Sequence, residues 1–307
     1  MLIDECGQAL EPECLIPINR NPSRLVLVGD QCQLGPVVLS QQALDAGFDL
    51  SLFERLQLLG VPLVRLEVSI TIPILIINAI VLMSMHPELA KFSSRVFYDN
   101  RIQNGVSPSE RSGVSRFRWP SPDKPTFFYL VRSQEQRASN GVSYLNPREA
   151  KAVKSIVQEL ISCGVDKNNI GVIAPYTGQK TYLTQYLGEL ANGPKEKVEV
   201  SSVDAYQGRE KDYIILSCVR SNRNRTVGFL KDARRLNVAL TRARFGLIVI
   251  GDPITLSTDP LWNDLLHFYH ERDLLLEGQL DKLRPGVLNS PKPAVPYIYR
   301  KDISCLA

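Results

Sequence analysis

The chain has 307 residues, of which 44% are hydrophobic and 22% charged, a balance that excludes a disordered protein and is typical of a soluble globular one. The formal net charge of +4 mildly favours a polyanionic partner. The six cysteines form no CxxC pair, so we expect reduced thiols in a protein of the cytoplasm, with the nucleus as a further location. His267 and His270 have no cysteine pair beside them and are interpreted as a surface helix face rather than a zinc site.

Short apolar runs alternate with amphipathic segments along the chain. Strands are predicted at 24–30, 126–131, 169–175, 198–203, 212–219 and 245–252. Helices are predicted at 49–59, 146–164, 178–190 and 232–243. The helix at 146–164 has both end signals, Asn146 with Pro147 at its start and Gly164 after its last turn. Apolar strands separated by helices indicate an α/β protein with a parallel sheet covered by helices.

The stretch VDAYQGRE (203–210) places several charged residues directly before the apolar strand 212–219. In parallel sheets, ligands bind outside the carboxyl ends of the strands. Asp30, Pro175, Asp204 and Asp252 each follow an apolar run directly. We therefore expect the charged loop to lie on the functional rim of the sheet.

Two further segments have chemistry that suits a phosphate ligand. Asp4 and Glu5 follow an apolar start, where one carboxylate can hold Mg²⁺ through water and the other can orient an attacking water. Two adjacent acids alone are more typical of a turn or a helix start. Gln33, in VGDQCQLGPV, can bond a phosphate or a water, and the alternative is a turn built on Gly29 and Gly35.

The segment LNVALTRARFGLIVIGD (236–252) contains two arginines two residues apart. On a helix Arg242 and Arg244 face different directions, so one can meet a phosphate while the other supports a neighbouring element. Arginine suits a bidentate clamp on phosphoryl oxygens. A structural salt bridge is the alternative for each residue taken singly.

Five motifs occur in one chain in one order, namely DECGQALEPE, GDQCQLGPV, MHPEL, VDAYQGREKDYIILSCVRSN and RRLNVALTRAR. Together they resemble motifs II to VI of superfamily 1 helicases. The chain is similar over residues 1–285 to the RNA helicases of the up-frameshift, or regulator of nonsense transcripts 1, type. The resemblance implies an ATP-driven motor on single-stranded RNA, with protein partners of nonsense-mediated mRNA decay and no membrane segment.

The resemblance also implies a RecA-like P-loop NTPase fold. Residues 1–62 would be the C-terminal remnant of a first RecA-like domain, with motifs II and III. Residues 63–280 would be a complete second RecA-like domain with motifs IV to VI, and 281–307 a proline-containing tail. ATP is bound between the two domains in this family.

Roles for individual residues follow from the resemblance. Asp4 resembles the Mg²⁺-binding carboxylate and Glu5 the residue that activates water. Gln33 resembles the γ-phosphate sensor, Glu210 the ribose contact and Arg242 the arginine finger. The residues that resemble nucleic-acid contacts are Pro175, Tyr176, Gln179, Asp204 and Gln207. VDAYQGRE is therefore interpreted as a loop that couples RNA to ATP.

The chain departs from the family in two places. It contains no GxxxxGK[ST] phosphate loop, so we expect these 307 residues alone to bind ATP poorly and to be nearly inactive as an ATPase. Residues 69–84 stand as an apolar insertion where the family has QYR before MHP. A retained intron and a true insertion both explain it, and its apolar run is too short for a membrane helix.

Two other functions stay open from the sequence. One is a non-catalytic nucleic-acid-binding or regulatory remnant, which the missing phosphate loop favours. The other is a DNA-directed member of the same superfamily, because the motifs alone do not separate RNA from DNA.

Overall fold

The computed structural model describes residues 1–65, 74–78, 85–111, 116–139, 141–190 and 197–300. They belong to two compact units, each with its own mostly parallel sheet. The described residues of Met1–Val81, Phe97–Gln103 and Tyr299–Ala307 form the first unit, and those of Leu82–Val96 and Asn104–Ile298 form the second. The predicted insertion at 69–84 lies outside the described residues, apart from Ile74–Asn78.

The first unit contains a four-stranded parallel sheet. Its strands are β1 (Leu2–Ile3), β2 (Leu25–Gly29), β3 (Leu63–Arg65) and β4 (Ile74–Asn78), in the order β1-β2-β4-β3. Its helices are α1 (Glu11–Ile18), α2 (Gln41–Asp45) and α3 (Leu52–Leu58). The sequence assigned residues from 63 onward to the second domain, but the backbone of β3 and β4 pairs within the first sheet. A β-branched run such as ILII suits a central strand, which explains its place beside β2.

The core of the first unit forms where β2 meets α1 and α3. Leu27, Phe53 and Cys6 are completely buried in it. The sulfur atoms of Cys6 and Cys14 are 3.8 Å apart without a disulfide, and burial raises the pKa of the Cys6 thiol to about 12. All five cysteines among the described residues are free thiols, as the sequence predicts.

The second unit has a seven-stranded sheet in the order β13-β12-β5-β11-β10-β8-β9. Its strands are β5 (Thr126–Leu130), β8 (Ile170–Ile173), β9 (Glu199–Ser201), β10 (Lys211–Ser217), β11 (Ala243–Gly251), β12 (Leu275–Glu277) and β13 (Arg284–Pro285), with β6 (Gln136–Arg137) and β7 (Tyr144–Leu145) as a separate hairpin. The helices are α4 (Pro87–Phe97, whose last residue belongs to the first unit), α5 (Pro147–Ser162), α6 (Thr177–Gly188), α7 (Val203–Tyr206), α8 (Ala233–Leu240), α9 (Pro253–Leu256) and α10 (Pro260–His270).

The sheet of the second unit is parallel except for β13, which pairs antiparallel with β12. β8 is buried along its whole length and β10 from its second residue on, as expected for strands covered on both faces. The predicted helix at 146–164 is confirmed as α5, with Asn146 as N-cap and Gly164 at φ +93° after its end. The α/β prediction is confirmed. No helix in the described part of the chain is both long and apolar enough to cross a membrane.

The segment predicted as a tail is packed on the second unit up to Ile298. The carbonyl oxygens of Pro291 and Ser290 accept hydrogen bonds from Asn263 (3.0 Å) and His267 (3.2 Å) of α10. The backbone N–H of Tyr297 donates to Asp264 over 3.2 Å. Proline lacks a donor but keeps its carbonyl, so a proline-containing segment can dock through acceptors without forming a helix.

A buried carboxylate ties α5 to the end of β10. Glu149 is completely buried, and its Oε2 accepts hydrogen bonds from Ser217 Oγ (2.7 Å) and from the backbone N–H of Val219 (2.8 Å). Burial raises the pKa of Glu149 to about 8, although these two hydrogen bonds oppose the shift. Between pH 4.5 and about 8 the folded protein therefore keeps a proton that the unfolded chain has lost.

This proton predicts how stability depends on pH. Because the pKa is raised in the folded state, the free energy of unfolding falls as pH rises from about 4.5 to about 8. Glutamine does not titrate, so Glu149→Gln removes this fall in the free energy of unfolding. Between pH 5 and 8 the Tm of the variant should therefore drop by roughly 5–10 °C less than the Tm of the wild type. Differential scanning calorimetry across this range measures it. Glu159→Gln, at an exposed position of the same helix, is the control and should keep the wild-type slope; an identical slope in Glu149→Gln contradicts the assignment.

Candidate functional site at the edges of the two sheets

The acidic pair Asp4 and Glu5 leaves β1 at its carboxyl end. Both side chains are exposed, and Asp4 Oδ1 accepts the backbone N–H of Glu5 over 2.9 Å. Glu5 has φ +51°, an uncommon value for a residue with a side chain, and its carboxylate accepts a hydrogen bond from Gln8 Nε2 over 2.5 Å. The turn thus presents two carboxylates to solvent at a strand end.

Gln33 is held in place by Asp30 in the loop after β2. Asp30 Oδ2 accepts hydrogen bonds from Gln33 Nε2 (2.9 Å) and from the Tyr98 hydroxyl (2.7 Å). The loop adjoins the acidic turn, because a Cβ on Gly29 would lie 2.8 Å from the backbone nitrogen of Gly7. Asp4, Glu5 and Gln33 therefore share one edge of the first sheet, where β1 and β2 end in parallel.

The acidic turn fits a Mg²⁺ ion held together with phosphates. No group of three potential ligand residues occurs among the residues that the structure describes, so a cage built from protein side chains alone is not formed there. Mg²⁺ usually keeps several waters and is bound by one or two carboxylates plus the phosphates of its substrate. The exposed carboxylate of Asp4 suits that arrangement.

In the second unit, Glu210 and Arg242 lie at the amino edge of the sheet. Lys211 of β10 pairs with Ala243 of β11, so the two residues that precede these strands lie side by side. The sequence placed the VDAYQGRE loop at the carboxyl ends of the strands, and for Glu210 that prediction is wrong. Glu210 and Arg242 directly precede the strands β10 and β11, whereas Asp204 follows the end of β9.

The two arginines of this edge do not share a helix, contrary to the sequence prediction. α8 ends at Leu240, Arg242 follows its C-cap and Arg244 lies in β11. The Arg244 guanidinium donates to Asp212 over 2.9 Å and lies 3.9 Å from Glu210, so it is the supporting residue. Arg242 is only 8% exposed and donates to the carbonyl of Val238 over 3.0 Å.

The VDAYQGRE stretch runs from the carboxyl edge of the sheet to its amino edge. Asp204 follows the end of β9 and accepts a hydrogen bond from Arg235 of α8 over 3.2 Å. Tyr206 anchors the middle of the stretch, since it is completely buried and donates to the carbonyl of Glu199 over 3.2 Å. Gln207 Nε2 is buried and has no hydrogen-bond partner in the described residues. Glu210 then reaches the amino edge.

Of the residues predicted to meet nucleic acid after β8, two are buried. Gln179 is completely buried and bonds the backbone of Asn146 (2.8 Å) and the hydroxyl of Ser217 (3.0 Å). Tyr176 is 3% exposed and donates to the carbonyl of Val227 over 3.1 Å. Only Pro175 of the three is partly accessible. The geometry supports a structural role for Gln179 and Tyr176 rather than the predicted direct contact, because their polar atoms already have partners.

The sequence missed a basic cleft of about 420 Å³ at the carboxyl edge, which we call the edge cleft. It is lined by the residues that follow three neighbouring strands, β5, β11 and β10, including Arg132, Arg223 and Arg225. The guanidinium groups of Arg223 and Arg225 are exposed and have no partner among the described residues. The loop VRSNRNR directly after an apolar strand was the available signal. Phe229, 66% exposed and 5.8 Å from the Tyr176 ring, belongs to the same edge.

The backbone beside the edge cleft is strained and is held by buried polar groups. Val219 has φ +71°, an outlier for a β-branched residue that costs about 1–3 kcal/mol. Its N–H is bound by Glu149 and its carbonyl by Asn146 over 3.2 Å. The next residues are fixed by Glu135, whose Oε2 accepts from Arg220 Nε (2.9 Å) and from the backbone N–H of Ser221 (2.8 Å). The arginine loop therefore starts from a fixed backbone.

Comparisons with known proteins agree with this architecture. A family described as "AAA domain" matches residues 48–254, and another of the same description matches residues 1–41. The regulator of nonsense transcripts 1 homolog of Drosophila melanogaster is 46% identical over 296 residues, covering 95% of this chain and 24% of that protein. The ATP-dependent helicase NAM7 of Saccharomyces cerevisiae is 47% identical over 297 residues, covering 95% of this chain and 29% of that protein.

The chain thus spans about a quarter of the length of the curated relatives that it matches. Among solved structures, the PRRSV helicase superposes with a TM-score of 0.38 at 14% sequence identity, covering 82% of this chain and 34% of that chain. That likeness is too weak to support an argument.

The ion pair of Glu135 and Arg220 predicts a large loss of stability when it is broken. Both side chains are less than 10% exposed, so Glu135→Gln leaves a buried guanidinium without its counter-charge. We expect a loss of about 3–5 kcal/mol in the free energy of unfolding, measured by urea denaturation. Glu271→Gln breaks an exposed pair with Lys292 and should cost less than about 1 kcal/mol. Equal losses in the two variants would show that the buried pair does not hold this loop.

Proposed function

The chain belongs to the regulator of nonsense transcripts 1 family of helicases, and from that membership we propose that it is part of an ATP-driven motor on single-stranded RNA. The motor would act in nonsense-mediated mRNA decay, in the cytoplasm, with protein partners of that pathway. The observation that supports it is the division of functional side chains between the two edges of one sheet in the second unit.

The nucleotide half of the proposal assigns roles to the acidic turn of the first unit and, separately, to the amino edge of the second unit. Glu5 orients and deprotonates the attacking water, and Gln33, fixed by Asp30, bonds the terminal phosphate. Glu210 contacts the ribose. Asp4 would hold Mg²⁺ together with the phosphates of ATP, and the ion would neutralise part of their charge. Arg242 stabilises the charge that develops on the transferred phosphoryl group, for which its guanidinium must turn away from the Val238 carbonyl.

The RNA half of the proposal concerns the carboxyl edge. A single strand is bound by cations that contact its phosphates and by aromatic rings that stack on its bases. The carboxyl edge has both. The guanidinium groups of Arg223 and Arg225 have no partner in the described part of the chain, and the ring of Phe229 is exposed. The partly accessible Pro175 lines a small pocket together with Phe229 and Arg235. Asp204 bonds the same Arg235, and Gln207 follows in the VDAYQGRE stretch. Binding through phosphates and stacking is independent of base sequence.

VDAYQGRE is the proposed coupling element between the two halves. Its first part lies near the RNA-binding edge and is clamped by Arg235, and its last residue lies at the nucleotide edge beside Arg244. The stretch has only eight residues and Tyr206 is anchored in the core, so the proposed coupling is a turn of the two ends about this fixed residue.

DNA remains a second candidate polymer, since phosphate contacts and stacking do not read the ribose 2′-hydroxyl. A non-catalytic nucleic-acid-binding protein is the alternative to the motor. The edge cleft supports a motor and a non-catalytic binding protein equally. The two experiments that follow separate these alternatives.

The RNA half predicts that the edge cleft carries the affinity for a single strand. Arg223→Gln/Arg225→Gln should weaken binding of a labelled oligouridylate at least tenfold. It should also lower the slope of log affinity against log salt by about 1.4, because the variant neutralises two fewer phosphates. Fluorescence anisotropy measures both. An oligodeoxythymidylate of equal length tests the preference for RNA. Affinity within twofold of the wild type excludes the edge cleft as the binding surface.

The nucleotide half predicts that Arg242 is needed for turnover and not for RNA binding. The test is a chimera in which this chain replaces the matching segment of the Saccharomyces cerevisiae helicase NAM7. Arg242→Ala should lower RNA-stimulated ATP hydrolysis by a factor of about 10³ with RNA affinity unchanged. Lys292→Gln is the matched control and should keep full turnover. Wild-type turnover in Arg242→Ala refutes the assigned role, and an inactive chimera without the substitution favours the non-catalytic alternative.

A further inference from the structure

A second basic surface in the second unit lies apart from all the predicted site residues. It is a groove of 1390 Å³ along α5, which we call the α5 groove. One wall is a stripe of α5 that includes Arg148, Lys151 and Ser155, and the other is formed by the end of β5 and by residues 278–283. α5 has 16 residues, so the wall is about 24 Å long.

The α5 groove has more cationic than acidic side chains. Five cations line it, Arg116, Arg118, Arg132, Arg148 and Lys151. Four of them, all except Arg132, are exposed and have no hydrogen-bonded or ion-paired side-chain partner in the part of the chain that the structure describes.

The two acids in the lining, Glu159 and Asp281, leave a net charge of +3. An acid three or four residues away on a helix stabilises an exposed arginine or lysine, and neither Arg148 nor Lys151 has one on α5. With Arg116 and Arg118, they are four cations without a side-chain partner among the described residues, and they point to an external anion.

Arg132 joins the α5 groove to the edge cleft, since it lines both. Its guanidinium donates to Glu277 over 2.9 Å and to the carbonyl of Val287 over 3.0 Å, which fixes it at the junction. Cationic side chains thus continue from Arg223 and Arg225 through Arg132 to Arg148 and Lys151. A linear polyanion that occupies the edge cleft meets this series on leaving it.

The aromatic residues of the α5 groove are not free to stack on bases. Phe117 is only 8% exposed, and the Tyr129 hydroxyl is bonded to the carbonyl of Gly278 over 2.5 Å. A ligand of the groove would therefore be held by charge alone, whereas the carboxyl edge of the sheet also has the exposed ring of Phe229.

We propose that the α5 groove binds the sugar–phosphate backbone of the single strand that emerges from the edge cleft, as a second, purely electrostatic part of the RNA path. The proposal rests on the proposed function. Phosphates fit the groove better than an acidic peptide for two reasons. The groove continues the proposed phosphate site of the edge cleft. Its cations are mostly arginines, and the planar guanidinium group matches phosphate oxygens.

The test compares two lengths of oligouridylate, about 8 and about 24 nucleotides, on the 307-residue chain, because only the longer one reaches from the edge cleft into the groove. The groove variant is Arg148→Gln/Lys151→Gln. The control is Lys197→Gln/Lys292→Gln, which removes the same charge at exposed positions outside the groove lining. Unchanged circular-dichroism melts verify that both variants fold.

The groove variant should bind the long oligonucleotide about tenfold more weakly, with a salt slope lower by about 1.4, and should bind the short one like the wild type. The control should match the wild type for both lengths. Equal long-strand affinity in the groove variant and the control overturns the proposal, as does a wild type that binds both lengths equally. If the groove variant loses binding of polyglutamate but binds the long oligonucleotide like the wild type, the proposal is overturned in favour of an acidic peptide. Failure of the wild type to bind either oligonucleotide is a failure of the proposed function itself.

Discussion

Parallel pairing of β10 with both β8 and β11 is the constraint on which the functional layout of the second unit depends. Because these strands are parallel, the residues that precede them lie at one edge of the sheet and the residues that follow them lie at the other. Glu210 and Arg242 belong to the first group, Arg223 and Arg225 to the second. One sheet thus separates the side chains proposed for phosphoryl chemistry from those proposed for polymer binding by the length of a strand. VDAYQGRE is the stretch that passes between the two edges.

Buried polar groups fix the backbone at the carboxyl edge. Glu149 and Asn146 hold Val219 in a left-handed conformation that a β-branched residue avoids, and Glu135 fixes the residues that follow. A carboxylate buried so completely is stable here in its protonated form. The stability of this edge is therefore linked to pH, while the arginines beyond it stay in solvent. Within the described residues, the same organisation leaves cations unpaired both in the edge cleft and along α5.

Much of the fold could be predicted from the sequence, because its signals are local. Asn146, Pro147 and Gly164 mark the ends of α5, and continuous β-branched runs mark buried parallel strands. Two boundaries were wrong because tertiary packing decides them. α8 stops at Leu240 since the chain must enter β11 at Ala243, which places Arg244 in a strand. The segment after residue 280 docks through carbonyl oxygens, for which periodicity gives no signal.

The site was predicted less completely, for reasons of burial and pairing. Gln179 and Tyr176 belong to a recognisable motif, but only the structure shows that the core already uses their polar atoms. Conversely, Arg223 and Arg225 are ordinary loop residues in the sequence. They line a common cleft because three neighbouring strands end at the same edge of the sheet, which the linear sequence does not show.

Hydrogen–deuterium exchange of the 307-residue chain, with and without a saturating oligouridylate, tests most directly whether the polymer occupies the carboxyl edge of the second sheet. The account predicts slower exchange in residues 219–225 and 131–135, with no change in residues 241–244 at the opposite edge. Protection of 241–244 without protection of 219–225 would contradict it.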